Sequence, residues 1–199
     1  MSDPLLHRQE IWDGRIVHLT LDRVRFPDGR EGELEFIRHA GAAAVVPFLD
    51  SPSDPDPRIV LLRQYRYAAG GSLFEIPAGM PAGPGEPWEE CARRELEEET
   101  GWRTADLRYL TRIYTTPGFT DEEIHLFAAA GLEGGAVHRD SDEYIEVVEM
   151  PFSQALDHIR TGEIVDGKTL SALLFLRVFL PGAWDEASSP PPRRESSSP

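Results

Sequence analysis

Residues 93–101 read Arg-Arg-Glu-Leu-Glu-Glu-Glu-Thr-Gly, and three of the glutamates, Glu95, Glu98 and Glu99, stand at i, i+3 and i+4. On a helix that spacing puts all three carboxylates on one face, where like charges cost about 0.2–0.5 kcal/mol per pair. Most charge runs are simply solvated surface. Three features point away from that here. Arg93 and Arg94 precede the cluster, but the chain's only lysine is Lys168, so no lysine four residues on neutralises it. Trp88, Cys91 or Ala92, and Leu96 form an apolar stripe that would hold the helix against a core. The Gly/Pro-rich stretch GMPAGPGEP, residues 79–87, leads into the helix and brings backbone carbonyls near its N-terminal side. An all-oxygen donor set suits Mg²⁺ or Mn²⁺, whereas the six scattered histidines show no zinc-like spacing.

The elements around this helix follow from periodicity. The first forty residues read as an N-terminal antiparallel β extension: residues 15–26 alternate apolar and polar, residues 27–32 (PDGREG) are turn chemistry, and residues 33–39 resume the alternation. Residues 42–49 (AAAVVPFL) predict a buried strand, residues 50–57 a polar loop, residues 58–66 (RIVLLRQYR) another strand, and SLFEIPAG a short one ending near Pro77. Pro87 suits the first turn of the acidic helix, which runs to about Thr100 with Gly101 as its stop. Strands are expected at 107–114, 123–129 and 144–149, and amphipathic helices at 151–162 and 169–180. The last residues, DEASSPPPRRESSSP, are too polar and too rich in Pro and Ser to pack. The order is that of an α+β domain, strands first, one acidic helix in the middle and two helices at the end.

A chain of 199 residues is large enough for a full core. No apolar run reaches bilayer length, the first residues lack a signal-peptide core, and the single cysteine, Cys91, rules out an intrachain disulfide framework. A cytoplasmic protein is the expectation, with no membrane partner. The net charge of −15 repels polyanions, so nucleic acid is not an expected partner. A small phosphate compound remains possible where arginines or a divalent cation offset the field.

From Gly79 through Glu86, Arg94, Glu95, Leu96, Glu98, Glu99 and Gly101 to Trp102, the residues resemble the signature of the Nudix hydrolases. The resemblance implies the Nudix fold, a mixed β-sheet sandwiched between helices. It also implies a loop–helix–loop that binds divalent metal and hydrolyses nucleoside diphosphates linked to another group. Met80–Gly85 is one residue longer than the family usually has between the glycine and the first glutamate, a departure that bears on Gly79 and Glu86 more than on the helix. By resemblance, Glu95, Glu98 and Glu99 are metal ligands with the Ala78 carbonyl, and Arg94 holds a glutamate in place.

The rest of the chain is similar to ADP-ribose pyrophosphatases. Pro117 stands sixteen residues after Gly101, where that subfamily carries a proline. The segment RDSDEYIEVVEM resembles its acidic loop, which puts the catalytic base at Glu143, with Glu146 or the helix residue Glu98 as alternatives. LLRQYRYA resembles its phosphate-binding strand, which gives Arg66. The N-terminal β region resembles the part that forms an intertwined homodimer and completes the adenosine pocket, and Arg15 and Glu35 are carried over as substrate contacts. The implied domains are 1–40 for dimerisation and the substrate pocket, 41–181 for the Nudix domain, and 182–199 for a disordered tail.

Each residue also has a plainer role. Arg66 could be a strand-end charge, Glu143 a solvated loop acid, Pro117-Gly118 an ordinary turn and Arg15 a turn residue beside Gly14. Cys91 and Trp88 suit the core, and Glu97 faces solvent. The implied activity is Mg²⁺-dependent hydrolysis of ADP-ribose, or a related nucleoside diphosphate sugar, to AMP and ribose 5-phosphate. The rivals are GDP-mannose, ADP-glucose, NADH or an oxidised nucleotide as substrate, and a non-catalytic domain that only senses a nucleotide.

Overall fold

The run Ala42–Pro47 forms β4 and is buried at every position. A strand covered on both faces can be apolar throughout, and the computed structural model, which describes residues 4–135 and 144–183 with side chains to residue 179, shows what covers each face. Ala43 and Val45 point toward Trp88, Cys91, Ala92 and Leu96 of α1 (Trp88–Thr100). Ala42, Ala44 and Val46 point the other way, toward Phe48, Ile59, Leu61 and the helices α2 (Phe152–Thr161) and α3 (Gly167–Ala183). The two-residue period of the strand therefore divides the core into two layers.

β4 lies in a four-stranded sheet, order β7-β4-β10-β9, with β7 at Ala78–Gly79, β9 at Asp106–Tyr114 and β10 at Glu123–Ala130. β10 runs parallel to β4 and β7 antiparallel, so the sheet is mixed. A second sheet, order β12-β5-β6, joins β5 (Arg58–Arg66) to β6 (Gly71–Glu75) and to β12 (Ile145–Pro151), and the short pair β8 (Trp102–Arg103) and β11 (Glu133–Gly134) follows α1. These elements make the larger of two compact units, Ala42–Ile113 with the described residues from Ile124 onward. The architecture is the α+β, helix-flanked mixed sheet expected from the sequence.

The smaller unit runs to Gly41 and takes in Tyr114–Glu123. It is an antiparallel meander of β1 (Leu5–Asp13), β2 (His18–Arg25) and β3 (Glu31–Arg38). Asp22 is buried and is held by Arg8 at 3.2 Å and by Arg38. Arg38 also reaches Asp121 at 3.2 Å, and Ile37 bridges to Thr120.

Three local readings are corrected. The alternation over residues 15–26 is not one strand: residues 14–17 reverse the chain, with the Gly14 N–H on the Val17 carbonyl at 2.9 Å, and β2 begins at His18. β1 escaped a period-two search because irregularities between Leu5 and His7 and between Glu10 and Trp12 break its alternation. Pro87 is not in the first turn of α1 but caps it in an extended conformation, at φ −60° and ψ 146°. Gly101 ends the helix at φ 76°, in the left-handed region where glycine carries no Cβ penalty. α3 begins at Gly167, two residues before its expected start, because the Asp166 carboxylate accepts the Thr169 N–H and caps it. It continues to Ala183, taking in the first two residues of the expected 182–199 tail; residues 184–199 lie outside the described residues.

Candidate active site

The apolar stripe that docks α1 on β4 sets the orientation of its acidic face. Glu95 and Glu99 are turned inward and are buried, while Glu98 lies toward the rim with its side chain 37% exposed. The loop entering the helix closes over the inner pair. The Ala78 N–H donates to Glu99 Oε2 at 3.0 Å, and the Cys91 thiol reaches the Gly79 carbonyl at 3.5 Å.

Arg94 joins the parts. Its Nη1 donates to Glu95 at 2.7 Å and Glu98 at 2.8 Å, its Nε to Glu86 at 3.1 Å, and its Nη2 to the Met80 carbonyl at 2.8 Å. No lysine was available to offset the carboxylates, and the offset comes instead from an arginine four residues before Glu98. Burial pushes the guanidinium toward losing its proton, but Glu86, Glu95 and Glu98 outweigh burial and hold its pKa above the ordinary value. The extra residue in the loop is absorbed in a turn: the Ala82 N–H donates to Glu86 at 2.7 Å, the Glu86 N–H to the Gly83 carbonyl at 3.3 Å, and Gly85 sits at φ 92°. Glu86 thus still arrives at Arg94.

Among the described residues, no three Asp, Glu, His or Cys side chains converge closely enough to hold an ion as they stand. The cause is visible: Arg94 takes up Glu95 and Glu98, and the Ala78 N–H takes up Glu99. The chemistry of the donors nevertheless fits a hard divalent cation. They are oxygens throughout, two of the carboxylates are buried on one helix, and the Arg94 guanidinium supplies positive charge at their centre.

The other expected site residues fall into two groups. Arg66 ends β5 and is not a free strand-end charge; its Nε and Nη2 form paired bonds to Glu75 at 2.7 and 2.8 Å. Lys168 approaches the same carboxylate. Sequence reasoning missed Glu75 and Lys168, although an acid inside the short apolar strand SLFEIP is itself a signal, because a buried charge requires a partner. Arg15 lies in the turn between β1 and β2, and Glu35 lies on β3 opposite Leu21, both exposed and both in the smaller unit. Glu146 is exposed on β12, opposite Arg63. Glu143 lies outside the described residues. Pro117 sits in a turn whose Thr116 carbonyl accepts the Phe119 and Thr120 N–H groups at 3.1 Å. Glu97 is not merely solvated; Arg103 Nε donates to it at 2.7 Å. Cys91 is buried, and burial together with the nearby Glu95 charge pushes its thiol up to about 12, which removes it as a nucleophile at neutral pH.

The NUDIX domain model matches residues 38–173. The chain is 38% identical over 179 residues to the methanol dehydrogenase activator of Bacillus methanolicus, covering 89% of this chain and 94% of that one. It is 34% identical over 180 residues to the ADP-ribose pyrophosphatase of Bacillus subtilis (strain 168), with the same coverage. A GDP-mannose pyrophosphatase of Escherichia coli O1:K1 / APEC is 43% identical over 132 residues, covering 60% of this chain and 66% of that one. The crystal structure of an ADP compounds hydrolase superposes with a TM-score of 0.76 at 22% identity, covering 89% and 94% of the two chains, and so shares the fold. The acidic helix, its glycine-bearing lead-in and the mixed sheet beneath them are those of the Nudix family, and this chain belongs to it.

Proposed function

We propose that this protein is a Mg²⁺-dependent pyrophosphatase, with Mn²⁺ as a substitute, that hydrolyses ADP-ribose to AMP and ribose 5-phosphate. The observation that carries the reading is the arrangement of Glu86, Glu95 and Glu98 around Arg94, with Glu99 tied to the loop at Ala78. Glu95, Glu98 and Glu99, with the Ala78 carbonyl, would hold the cation. When bound, it neutralises the diphosphate and polarises the phosphorus–oxygen bonds.

The chain's own groups do the rest. Arg94 keeps the carboxylates from springing apart and fixes their directions. Arg66, with its side chain 43% exposed, offers N–H donors to the phosphate oxygens. A water oxygen bonds to phosphorus as the anhydride phosphorus–oxygen bond breaks, and its proton passes to a carboxylate. Glu143, two positions before β12 in the sequence, is the proposed base, with Glu98 and Glu146 as the alternatives. Glu98 is the weaker candidate because its carboxylate already accepts a hydrogen bond from Arg94 at 2.8 Å.

The smaller unit supports a two-fold homodimer. Ile11, Trp12, Ile16 and Val17 are exposed there, an apolar set on one hairpin that suits an interface. Arg15 and Glu35 sit on the same unit and are proposed to complete the substrate pocket. No helix among the described residues is long and apolar enough to cross a membrane. A cytoplasmic location is proposed, and the charge of −15 disfavours nucleic-acid partners.

The relative named for ADP-ribose aligns over 89% of this chain, and the one named for GDP-mannose over 60%. The higher identity of the latter, 43%, makes GDP-mannose the second reading. A panel of ADP-ribose, GDP-mannose, ADP-glucose and NADH, assayed for released products with and without Mg²⁺ and Mn²⁺, tests both. Preferred metal-dependent turnover of ADP-ribose is the expected result; binding of these compounds without turnover of any would make the protein a nucleotide sensor.

A further inference from the structure

The chain's only lysine lies in the first turn of α3, where the helix dipole is positive and a cation is disfavoured. What it touches explains the placement. Its Nζ approaches Glu75 Oε2 and lies 3.2 Å from Asp166, and its side chain is only 11% exposed. Glu75 is 2% exposed and also accepts both bonds from Arg66, Nε on Oε1 and Nη2 on the Oε2 that Lys168 approaches. The turn that presents Lys168 is itself anchored. Asp166 caps α3 through the Thr169 N–H and hydroxyl at 3.0 and 2.6 Å, and the buried Thr169 hydroxyl accepts the Ile76 N–H at 2.9 Å.

We propose that Lys168 is a positioning residue for substrate, holding Glu75 so that Glu75 in turn fixes the Arg66 guanidinium toward the diphosphate. The inference rests on the role given to Arg66 under the proposed function. Two parallel N–H···O bonds fix the plane of a guanidinium and leave its remaining edge, Nη1, for an incoming oxyanion. Glu75 can orient Arg66 only if the carboxylate is itself immobile and its charge is not balanced by Arg66 alone. Lys168 supplies both conditions. It is a buried second cation on one carboxylate oxygen, and it leaves Arg66 with positive charge to spend on the substrate. The Lys168 side chain is 11% exposed and that of Arg66 43%, so Arg66 is the cation that the network presents to solvent. Burial pushes the Glu75 carboxyl up, the Arg66 hydrogen bonds and the Lys168 charge outweigh it, and the group stays ionised as this role requires.

The test is a double-mutant cycle measured with ADP-ribose, or with whichever panel substrate turns over. Lys168→Met keeps the aliphatic stem and removes the charge. It should lower kcat/KM by about 10–100-fold, the scale of a misplaced binding group, and Lys168→Arg should recover most of the loss. In an Arg66→Ala background the same Lys168→Met change should cost little more, because its target is gone. Equal fold-losses in both backgrounds, or no loss from Lys168→Met alone, would overturn the inference while leaving the proposed function standing. An Arg66→Ala variant with normal kcat/KM, or a wild-type protein that turns over no panel member, overturns the proposed role of Arg66 and this inference with it. If Lys168→Met does not fold, Lys168→Gln enters the same cycle.

Discussion

A Cβ built on Gly79 would lie 2.2 Å from the Glu95 carboxyl carbon. The lead-in strand β7 and the acidic helix α1 approach this closely only because residue 79 has no side chain. Gly79→Ala should therefore displace the Glu95 carboxylate from Arg94 and from the position proposed for a cation. A ligand that binds only the folded state raises the thermal midpoint by mass action, so the variant should lose most of the Mg²⁺-dependent rise seen in the wild type. Scanning calorimetry with and without Mg²⁺ checks this, and an unchanged rise would place the cation away from Glu95.

The Glu75 network makes an acid-sensitive contribution to stability. Its carboxyl is raised by burial but lowered further by Arg66 and Lys168, so its folded value lies below the ordinary one. The contribution is present above the ordinary glutamate range, about pH 4.3, and disappears as pH falls through the folded value. Glu75→Gln should be less stable than the wild type at pH 7, and the gap should narrow at about pH 3.5. Urea unfolding at the two pH values measures it; a gap of equal size at both would mean that the carboxyl is not held below its ordinary value.

Cys91 should be inert while the protein is folded. Its thiol is pushed up to about 12 by burial and by the Glu95 charge. At pH 8 a disulfide reagent should label it only after denaturation, and Cys91→Ala should keep its activity. Rapid labelling of the folded protein would show that the layer between α1 and β4 opens more readily than its packing implies.

The proposed base is tested by substitution. Glu143→Gln should lower kcat by about 10²–10⁴, the usual worth of a general base, with KM little changed. The Mg²⁺-dependent rise in thermal midpoint should persist. If Glu146→Gln or Glu98→Gln gives that loss and Glu143→Gln does not, the proton goes to that residue instead.

The acidic helix was legible because everything that defines it is local. The i, i+3, i+4 spacing of Glu95, Glu98 and Glu99, the stripe from Trp88 to Leu96 and the stop at Gly101 all lie within one helix, where period alone assigns faces. The apolar run of β4 likewise announced a strand covered on both sides. The sequence by itself therefore determined the family, the carboxylate face and the order of the main elements. It did not determine β1, whose irregular pairing with β2 breaks the alternation that would have marked it. Nor did it determine which charges meet. Ala78 and Glu99 are 21 residues apart, Arg66 and Glu75 nine, and Glu75 and Lys168 93. Periodicity specifies the face a side chain takes but not the partner that face will find. That partner depends on strand register and on where α3 docks, which are set by packing over the whole core. The tertiary structure alone decided that a lone lysine in α3 and a glutamate in β6 would share a buried contact behind Arg66.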